Sequence, residues 1–199
     1  YGDEETGVPG CIKNGIDEQT ANKIYDEMID FAKYAFNKSH AAAYAVVSYQ
    51  TAWLKYYFPV EYMAALMTSV IDNPSKVSEY IYACRQMNIK ILPPDINKGE
   101  ANFSVDGGDI RYGLAAIKSI GRPVIKAIVE DREELGLFQN LEDFITRLSA
   151  KNILNKRTIE NLIKAGALDT LGGTRKQFMS IYVQIVDHVT QEKKNSMVG

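Results

Sequence analysis

The stretch Asn37-Lys38-Ser39-His40 gathers the most reactive group of side chains in the sequence: an amide, an ammonium, a hydroxyl and an imidazole in consecutive residues. An alanine-rich run follows it, so we expect these groups at the N-terminus of a long helix with Ser39 as its cap. Such a terminus attracts phosphate because its free N–H groups and the helix dipole present positive charge. Tyr44 lies one helical turn after His40 and could reach the same ligand. The segment predicts a phosphate-binding site, and a purely structural helix cap is the alternative.

Two stretches in the second half of the chain resemble helix-hairpin-helix motifs, in which a tight turn aims backbone N–H groups at a DNA phosphate. The first covers residues 117–128 and the second covers residues 162–173. Ser119 stands where the usual pattern has glycine, and Pro123 lacks an N–H that the motif often donates. We therefore expect the second hairpin to contribute more of the DNA binding. The predicted DNA contacts are Lys118, Ser119, Gly121, Arg122, Lys156, Arg157, Gly172, Arg175 and Lys176.

Known catalytic patterns do not occur in the sequence. Two-metal nucleotidyl transfer needs paired carboxylates, usually Asp-x-Asp on a strand, and no such pair is present. Asp106 and Asp109 flank two glycines and are explained by a hairpin turn. Cys11 and Cys84 stand alone and there are two histidines, too few for a disulfide framework or a zinc cluster. We expect no catalytic residue, no metal site and no cofactor in this chain.

The elements that position these groups are predicted from the spacing of apolar residues, which favours a mainly α fold. Long helices are expected from Asp17 to near Tyr34 and from Ser39 to about Tyr57, and the aromatic residues of the second are assigned mostly to a core. A small β-hairpin is expected around Gly107-Gly108, after an extended run at 90–92. The other helices are expected at about 59–71, from 75, at 123–132, at 141–148, at 156–165 with Asn155 as cap, and at 175–189 with Thr174 as cap.

We divide the chain accordingly into four parts. Residues 1–92 form a helical, fingers-like lobe, and residues 93–112 form a proline-rich connector with the β-hairpin. Residues 113–190 form a tandem helix-hairpin-helix array for DNA binding, and residues 191–199 form a disordered tail. No apolar run is long enough to span a bilayer, so we expect no membrane contact and a cytoplasmic location. The chain starts at Tyr1 rather than Met, and we expect it to be part of a longer protein.

Charge is unevenly distributed along the sequence. The 199 residues contain 23 Lys and Arg against 25 Asp and Glu, a net charge of −2. Residues 1–30 hold eight acids and two lysines, whereas residues 31–60 hold three lysines and no acid. Further cationic clusters follow at 151–164 and 175–176, and residues 111–128 contain four cations that we expect to be unopposed: Arg111, Lys118, Arg122 and Lys126. This distribution favours an anionic partner without the bulk positive charge of a protein that coats nucleic acid.

Five segments of the sequence resemble a known family. FNKSHAAAYA (36–45) and FPVEYMAAL (58–66) closely resemble the fingers region of the alpha subunits of bacterial replicative DNA polymerase III, the C-family polymerases. ILPPDIN (91–97), IRYGLAAIK (110–118) and IKAGALD (163–169) continue the resemblance in the family's order, over roughly residues 11–185.

The resemblance implies a nucleotidyltransferase that extends a primer on a DNA template with deoxynucleoside triphosphates and Mg²⁺. It implies that Asn37, Lys38, Ser39, His40 and Tyr44 lie near the incoming nucleotide or the template. Primer-template DNA and other replisome subunits are the implied partners, and the sliding clamp would bind parts of the parent outside this chain. The family's catalytic carboxylates belong to a palm domain that this chain lacks, so we expect the chain alone to be inactive.

Two other functions compete with this hypothesis. The chain could be a protein-interaction module of the replisome in which the hairpins are scaffold. The salt dependence of binding distinguishes this module from a DNA-binding protein. Binding through phosphates weakens steeply with added salt, and binding through an apolar helix surface does not. A stand-alone enzyme with His40 as general base is disfavoured because no carboxylate lies at a suitable spacing.

Overall fold

The computed structural model describes residues 1–34 and 38–198 and confirms the mainly α fold class. The helices are α1 (Glu18–Tyr34), α2 (Lys38–Tyr57), α3 (Pro59–Ser69), α4 (Pro74–Gln86), α5 (Arg122–Leu135), α6 (Leu141–Ala150), α7 (Lys156–Ala165) and α8 (Arg175–Val198), with 3-10 turns at Leu114–Ala116 and Asp169–Leu171. The strands are β1 (Gly2–Asp3), β2 (Val8–Pro9), β3 (Ile91–Leu92), β4 (Ser104–Asp106) and β5 (Asp109–Arg111). Contacts divide the chain into the units Tyr1–Trp53 and Leu54–Gly199.

The first unit contains a short antiparallel hairpin of β1 and β2, followed by α1 and most of α2. Asp17 caps α1 as predicted, since its Oδ1 accepts a hydrogen bond of 2.9 Å from the Thr20 N–H. The apolar face of α1 is exposed, and Phe31 is 73% accessible.

The aromatic side chains of α2, which the sequence analysis assigned mostly to a core, are exposed. Tyr44, Tyr49 and Trp53 are 61%, 71% and 42% accessible, and Tyr56 and Tyr57 in the second unit are 78% and 59% accessible. That prediction is wrong for this chain. A helix buries its apolar face only where another element lies against it, and α2 has no buried residue.

The second unit has two adjoining cores, and the first joins α3 and α4 to a three-stranded sheet. β4 and β5 form the predicted antiparallel hairpin with Val105 opposite Ile110, and β3 pairs with β5 in parallel. The buried residues of this core are Met63, Ala64, Met67, Ile71, Val77, Cys84, Ile89, Phe103 and Ile110. Because α3 and α4 share a core with residues 103–110, the boundary predicted at residue 92 is not a boundary in the structure.

The second core is built by α5 to α8, with Ile96 and Leu114 contributed from the preceding loops. α7 shows why these short helices pack: its residues at helical spacing, Ile159, Leu162 and Ile163, are at most 1% accessible. α8 extends to Val198, so residues 191–198 are helical and not the disordered tail that the sequence predicted.

A buried ion network connects α5 to α6 within this core. The Arg147 Nε lies 2.6 Å from an oxygen of the Asp131 carboxylate, and Lys151 lies 3.1 Å from its other oxygen. Arg147 also donates to the backbone oxygens of Asp131 and Gly136, each at 2.9 Å, and its guanidinium lies 4.2 Å from the centre of the Phe138 ring. Asp131 is 1% accessible, so its charge depends on these two cations for stabilisation.

The segment after the double proline is bound to the helix array by polar contacts. The buried Asp95 accepts hydrogen bonds from the Asn97 N–H at 2.8 Å and from the Thr170 hydroxyl at 3.1 Å. Arg132 of α5 donates to the backbone oxygens of Ile96 and Gly99 at 3.1 and 2.8 Å. These contacts fix the loop that precedes the first hairpin.

Candidate nucleic-acid interface

The predicted phosphate site at the start of α2 is only partly within the described residues. Lys38, Ser39 and His40 are exposed in the first turn, which contains no acidic residue. The His40 and Tyr44 rings lie 4.5 Å apart between centroids, as their spacing predicted. Ser39 is inside the helix and therefore does not have the extended backbone of a cap, so its predicted capping role is wrong. Asn37 lies outside the described residues.

The first hairpin is built from the 3-10 turn Leu114–Ala116 and the start of α5, which the sequence analysis expected as a helix at 123–132. Ser119 has φ +64°, a left-handed conformation that favours glycine, which explains why the usual pattern has glycine at this position. Ile120 is buried beside it and anchors the turn. The Gly121 oxygen accepts from the N–H groups of Val124 and Ile125 at 3.0 and 3.3 Å.

Three of the four cations in residues 111–128 are paired, although the sequence analysis expected them to be unopposed. Their partners lie on the adjacent strand, at the turn before α4 or one helical turn away, in the pairs Arg111–Asp106 at 2.5 Å, Arg122–Asp72 at 3.4 Å and Lys126–Glu130 at 3.5 Å. The first pair is structural, because Arg111 is buried and also donates to the Pro93 oxygen. Lys118 is exposed and has no ion pair with any described residue.

The second hairpin turns between α7 and α8 through two left-handed glycines. Gly166 ends α7 with φ +81°, and Gly172 follows the second 3-10 turn with φ +80°. Thr174 caps α8 as predicted: its hydroxyl accepts from the Gln177 N–H at 3.2 Å, and the Gln177 side-chain oxygen accepts from the Thr174 N–H at 2.9 Å. This capping box satisfies donors that a bound phosphate would otherwise use.

Arg175, predicted to bind DNA, is bonded to its own hairpin. Its guanidinium donates to both oxygens of Asp169, at 2.9 Å from Nε and 2.5 Å from Nη2. The hydrogen bond and charge of Asp169 raise the pKa of Arg175. Gly166 leaves room for this contact, since a Cβ there would overlap the guanidinium. Arg175 therefore braces the hairpin turn.

The other predicted cations of the array also differ in whether they form an ion pair. Lys156 lies 2.6 Å from the Asp187 carboxylate of α8. Arg157 and Lys176 are exposed, and neither forms an ion pair within the described parts of the chain. Lys118, Arg157 and Lys176 are thus the predicted DNA-binding cations whose charge is not already used in an ion pair.

A cleft of about 480 Å³ lies between the first hairpin and α7. Lys118 lines one side and Asn161 and Lys164 of α7 line another, while Tyr112 and Pro94 form part of the apolar wall. Burial raises the pKa of Tyr112. The sequence analysis placed Lys164 in a cationic cluster but did not include Asn161, Lys164 or Tyr112 among the binding residues, although the two α7 residues share a helix face with Arg157 and their spacing would have placed them there.

Comparisons with known proteins agree with this geometry. A family model described as a helix-hairpin-helix motif matches residues 88–178, which include both hairpins and the three-stranded sheet. DNA polymerase III subunit alpha of Vibrio cholerae is 48% identical over 191 residues, and that of Escherichia coli K12 is 47% identical over 191 residues. Both alignments cover 96% of this chain and 16% of the relative. The subunit of Thermus aquaticus is 45% identical over 177 residues, covering 89% of this chain and 14% of the relative.

The chain belongs to the DNA polymerase III alpha subunit family. It spans about one sixth of the length of the curated relatives that it matches. The match at residues 88–178 begins before position 113, where we predicted the start of the helix-hairpin-helix array, and it includes the β-hairpin.

This part of an alpha subunit has no metal centre among its described residues, since no three His, Cys, Asp or Glu side chains lie close enough together to hold an ion. Within residues 1–34 and 38–198, no helix has the length and apolarity needed to cross a membrane.

Proposed function

We propose that this chain holds DNA by its sugar-phosphate backbone through the helix-hairpin-helix array, as part of a replicative DNA polymerase. The observation that supports the proposal most directly is that three of the predicted DNA-binding cations, Lys118, Arg157 and Lys176, are exposed within or next to two hairpins and form no ion pair with a described residue. A fold with net charge −2 cannot attract DNA by bulk charge. Local cations and backbone N–H groups can bind the phosphates of DNA without reading its sequence.

Within the whole polymerase we propose that the first turn of α2 lies near the incoming deoxynucleoside triphosphate or the template. Lys38 and His40 at an acid-free helix start support this role. The polymerase would extend a primer-template in the cytoplasm, with Mg²⁺ held by carboxylates outside this chain. Other replisome subunits, including the sliding clamp, would bind other parts of the same protein.

A salt titration of the 199-residue chain with fluorescent duplex DNA tests the DNA-binding proposal. About three phosphate contacts predict a slope near −3 in log K against log salt, with Kd of about 10⁻⁴–10⁻⁶ M at physiological salt and no preference among sequences. The triple variant Lys118→Ala, Arg157→Ala, Lys176→Ala should flatten the slope toward zero, and Lys194→Ala is the control for an exposed lysine elsewhere. Absence of binding, or binding that salt does not weaken, would contradict the proposal and favour a protein-interaction role.

A further inference from the structure

We propose that the cleft between the first hairpin and α7 holds a phosphodiester group of a DNA strand on Lys118, Asn161 and Lys164. This inference rests on the proposed function and names its principal contact. In helix-hairpin-helix motifs the phosphate contact is expected at the N–H groups of the hairpin turn. Asn161 and Lys164 lie on helix α7 and not in a turn.

The lining of the cleft favours an anion. None of its lining residues is acidic, and two of them are lysines on different elements. Lys118 has no ion pair among described residues. Lys164 pairs with Glu160 one turn earlier, but its side chain is 61% accessible, so solvent screens the pair and leaving it costs little.

Asn161 supplies the hydrogen-bond donors of the site. Its amide is half-buried on the cleft wall, and it makes no side-chain hydrogen bond within the described part of the chain. An amide can donate two N–H groups. Oxygen atoms held there would satisfy the Asn161 amide and the Lys118 ammonium, which have no partner among the described residues, and would compete with Glu160 for Lys164.

The apolar wall distinguishes a phosphodiester from a free phosphate ion. Pro94 and Ile117 line the cleft beside the lysines and offer a surface to the deoxyribose that flanks each phosphate. Arg157 lies seven residues before Lys164 on α7, about 10 Å along the helix axis. It can therefore contact another phosphate of the same strand.

The start of α8 is a less favourable phosphate-binding site than the cleft. Its capping box already uses the Thr174 and Gln177 N–H groups, and the Arg175 guanidinium is neutralised by Asp169. In the cleft, Lys118 and Asn161 have no such partners among the described residues, and the Lys164–Glu160 pair is exposed to solvent. The principal phosphate contact of the array is therefore expected on the side of α7 and the first hairpin.

The experiment compares two charge-matched variants of the 199-residue chain. Asn161→Asp keeps the side-chain shape and puts a carboxylate into the cleft, whereas Asn195→Asp makes the same change in charge at the exposed end of α8. Binding of labelled duplex and of a single strand of equal length is measured by fluorescence anisotropy at low salt, and circular dichroism checks that each variant is folded. We expect Asn161→Asp to weaken binding of at least one probe by about tenfold or more, as for a lost charge-assisted contact. Asn195→Asp should stay within about twofold of the unmodified chain, because solvent screens a distant surface charge.

A second variant keeps the test decisive if Asn161→Asp fails to fold. Lys118→Ala removes an exposed side chain and should lower the salt slope by about one unit, which Lys194→Ala should not do. Equal effects of the cleft and control variants on a chain that still binds DNA would overturn this inference and leave the proposed function standing. If the unmodified chain fails to bind DNA, both fall. Displacement of the DNA by micromolar deoxynucleoside triphosphate would overturn the inference in favour of a free-nucleotide site.

Discussion

The buried pair of Arg147 and Asp131 makes a quantitative prediction about stability. Arg147→Met keeps the length of the side chain but removes its charge, its hydrogen bonds and its contact with the Phe138 ring. The Asp131 carboxylate, 1% accessible, then retains only Lys151 at 3.1 Å. Breaking a buried ion pair costs about 3–5 kcal/mol, and we expect a loss of about 3 kcal/mol because the second cation remains.

The loss in the free energy of unfolding of Arg147→Met is measured by urea unfolding followed by circular dichroism. For a protein of this size it corresponds to a decrease in Tm of about 6–12 °C. Lys126→Met is the control, since that side chain is 75% accessible and lies 3.5 Å from Glu130. It should change the free energy of unfolding by about 0.5 kcal/mol or less.

A double-mutant cycle shows whether the pair itself is responsible. Asp131→Asn combined with Arg147→Met leaves no uncompensated carboxylate, so the double variant should be more stable than the sum of the two single losses implies. A loss below about 1 kcal/mol in Arg147→Met, or strict additivity in the cycle, would refute the assignment of this network as a main link between α5 and α6.

Three further predictions concern single positions. In the whole polymerase, Lys38→Ala should lower kcat/KM for nucleotide incorporation by about tenfold or more with Tm unchanged. The reason is that an exposed ammonium at a helix start without acidic residues would contact the triphosphate. A lower Tm with unchanged kcat/KM would favour a structural role. Ser119→Gly should raise the free energy of unfolding by about 0.5–1 kcal/mol in urea titrations, because glycine adopts φ +64° without steric cost, and a loss of stability would contradict this. A thiol reagent should label the exposed Cys11 quickly and Cys84 only on unfolding, because burial shields that thiol and raises its pKa; rapid labelling of both in the folded chain would show that Cys84 is accessible.

Features that depend on neighbouring residues were predictable from the sequence. Asp17 and Asn155 each cap a helix, because a side-chain oxygen three residues away can reach the N–H group. The β-hairpin around Gly107 and Gly108, both with positive φ, follows from a local turn preference. In each case the physical cause lies within a few residues of its effect.

Features that depend on distant residues were not predictable in the same way. The pairing of Arg122 with Asp72 joins residues that are 50 positions apart, and composition along the sequence shows only that a cation has no acid nearby. The parallel pairing of β3 with β5 likewise requires knowledge of how the connector folds. The exposure of the α2 aromatics was missed because periodicity identifies an apolar face and not what covers it.

The ion pairs change how the predicted binding residues should be understood. Sequence reasoning ranked the second hairpin above the first because Ser119 and Pro123 depart from the usual turn, and that ranking stays a prediction. The structure supplies a physical reason to expect the reverse, since Arg175 is bonded to Asp169 and Lys118 has no ion pair among described residues. A cation that already satisfies a carboxylate must lose that partner before it can bind phosphate, whereas one without a partner loses only water. Affinity for DNA should therefore follow the cations that have no ion pair among the described residues, together with Lys164, whose pair with Glu160 is exposed to solvent. A cation held as Arg175 is by Asp169 should chiefly affect the geometry of its turn.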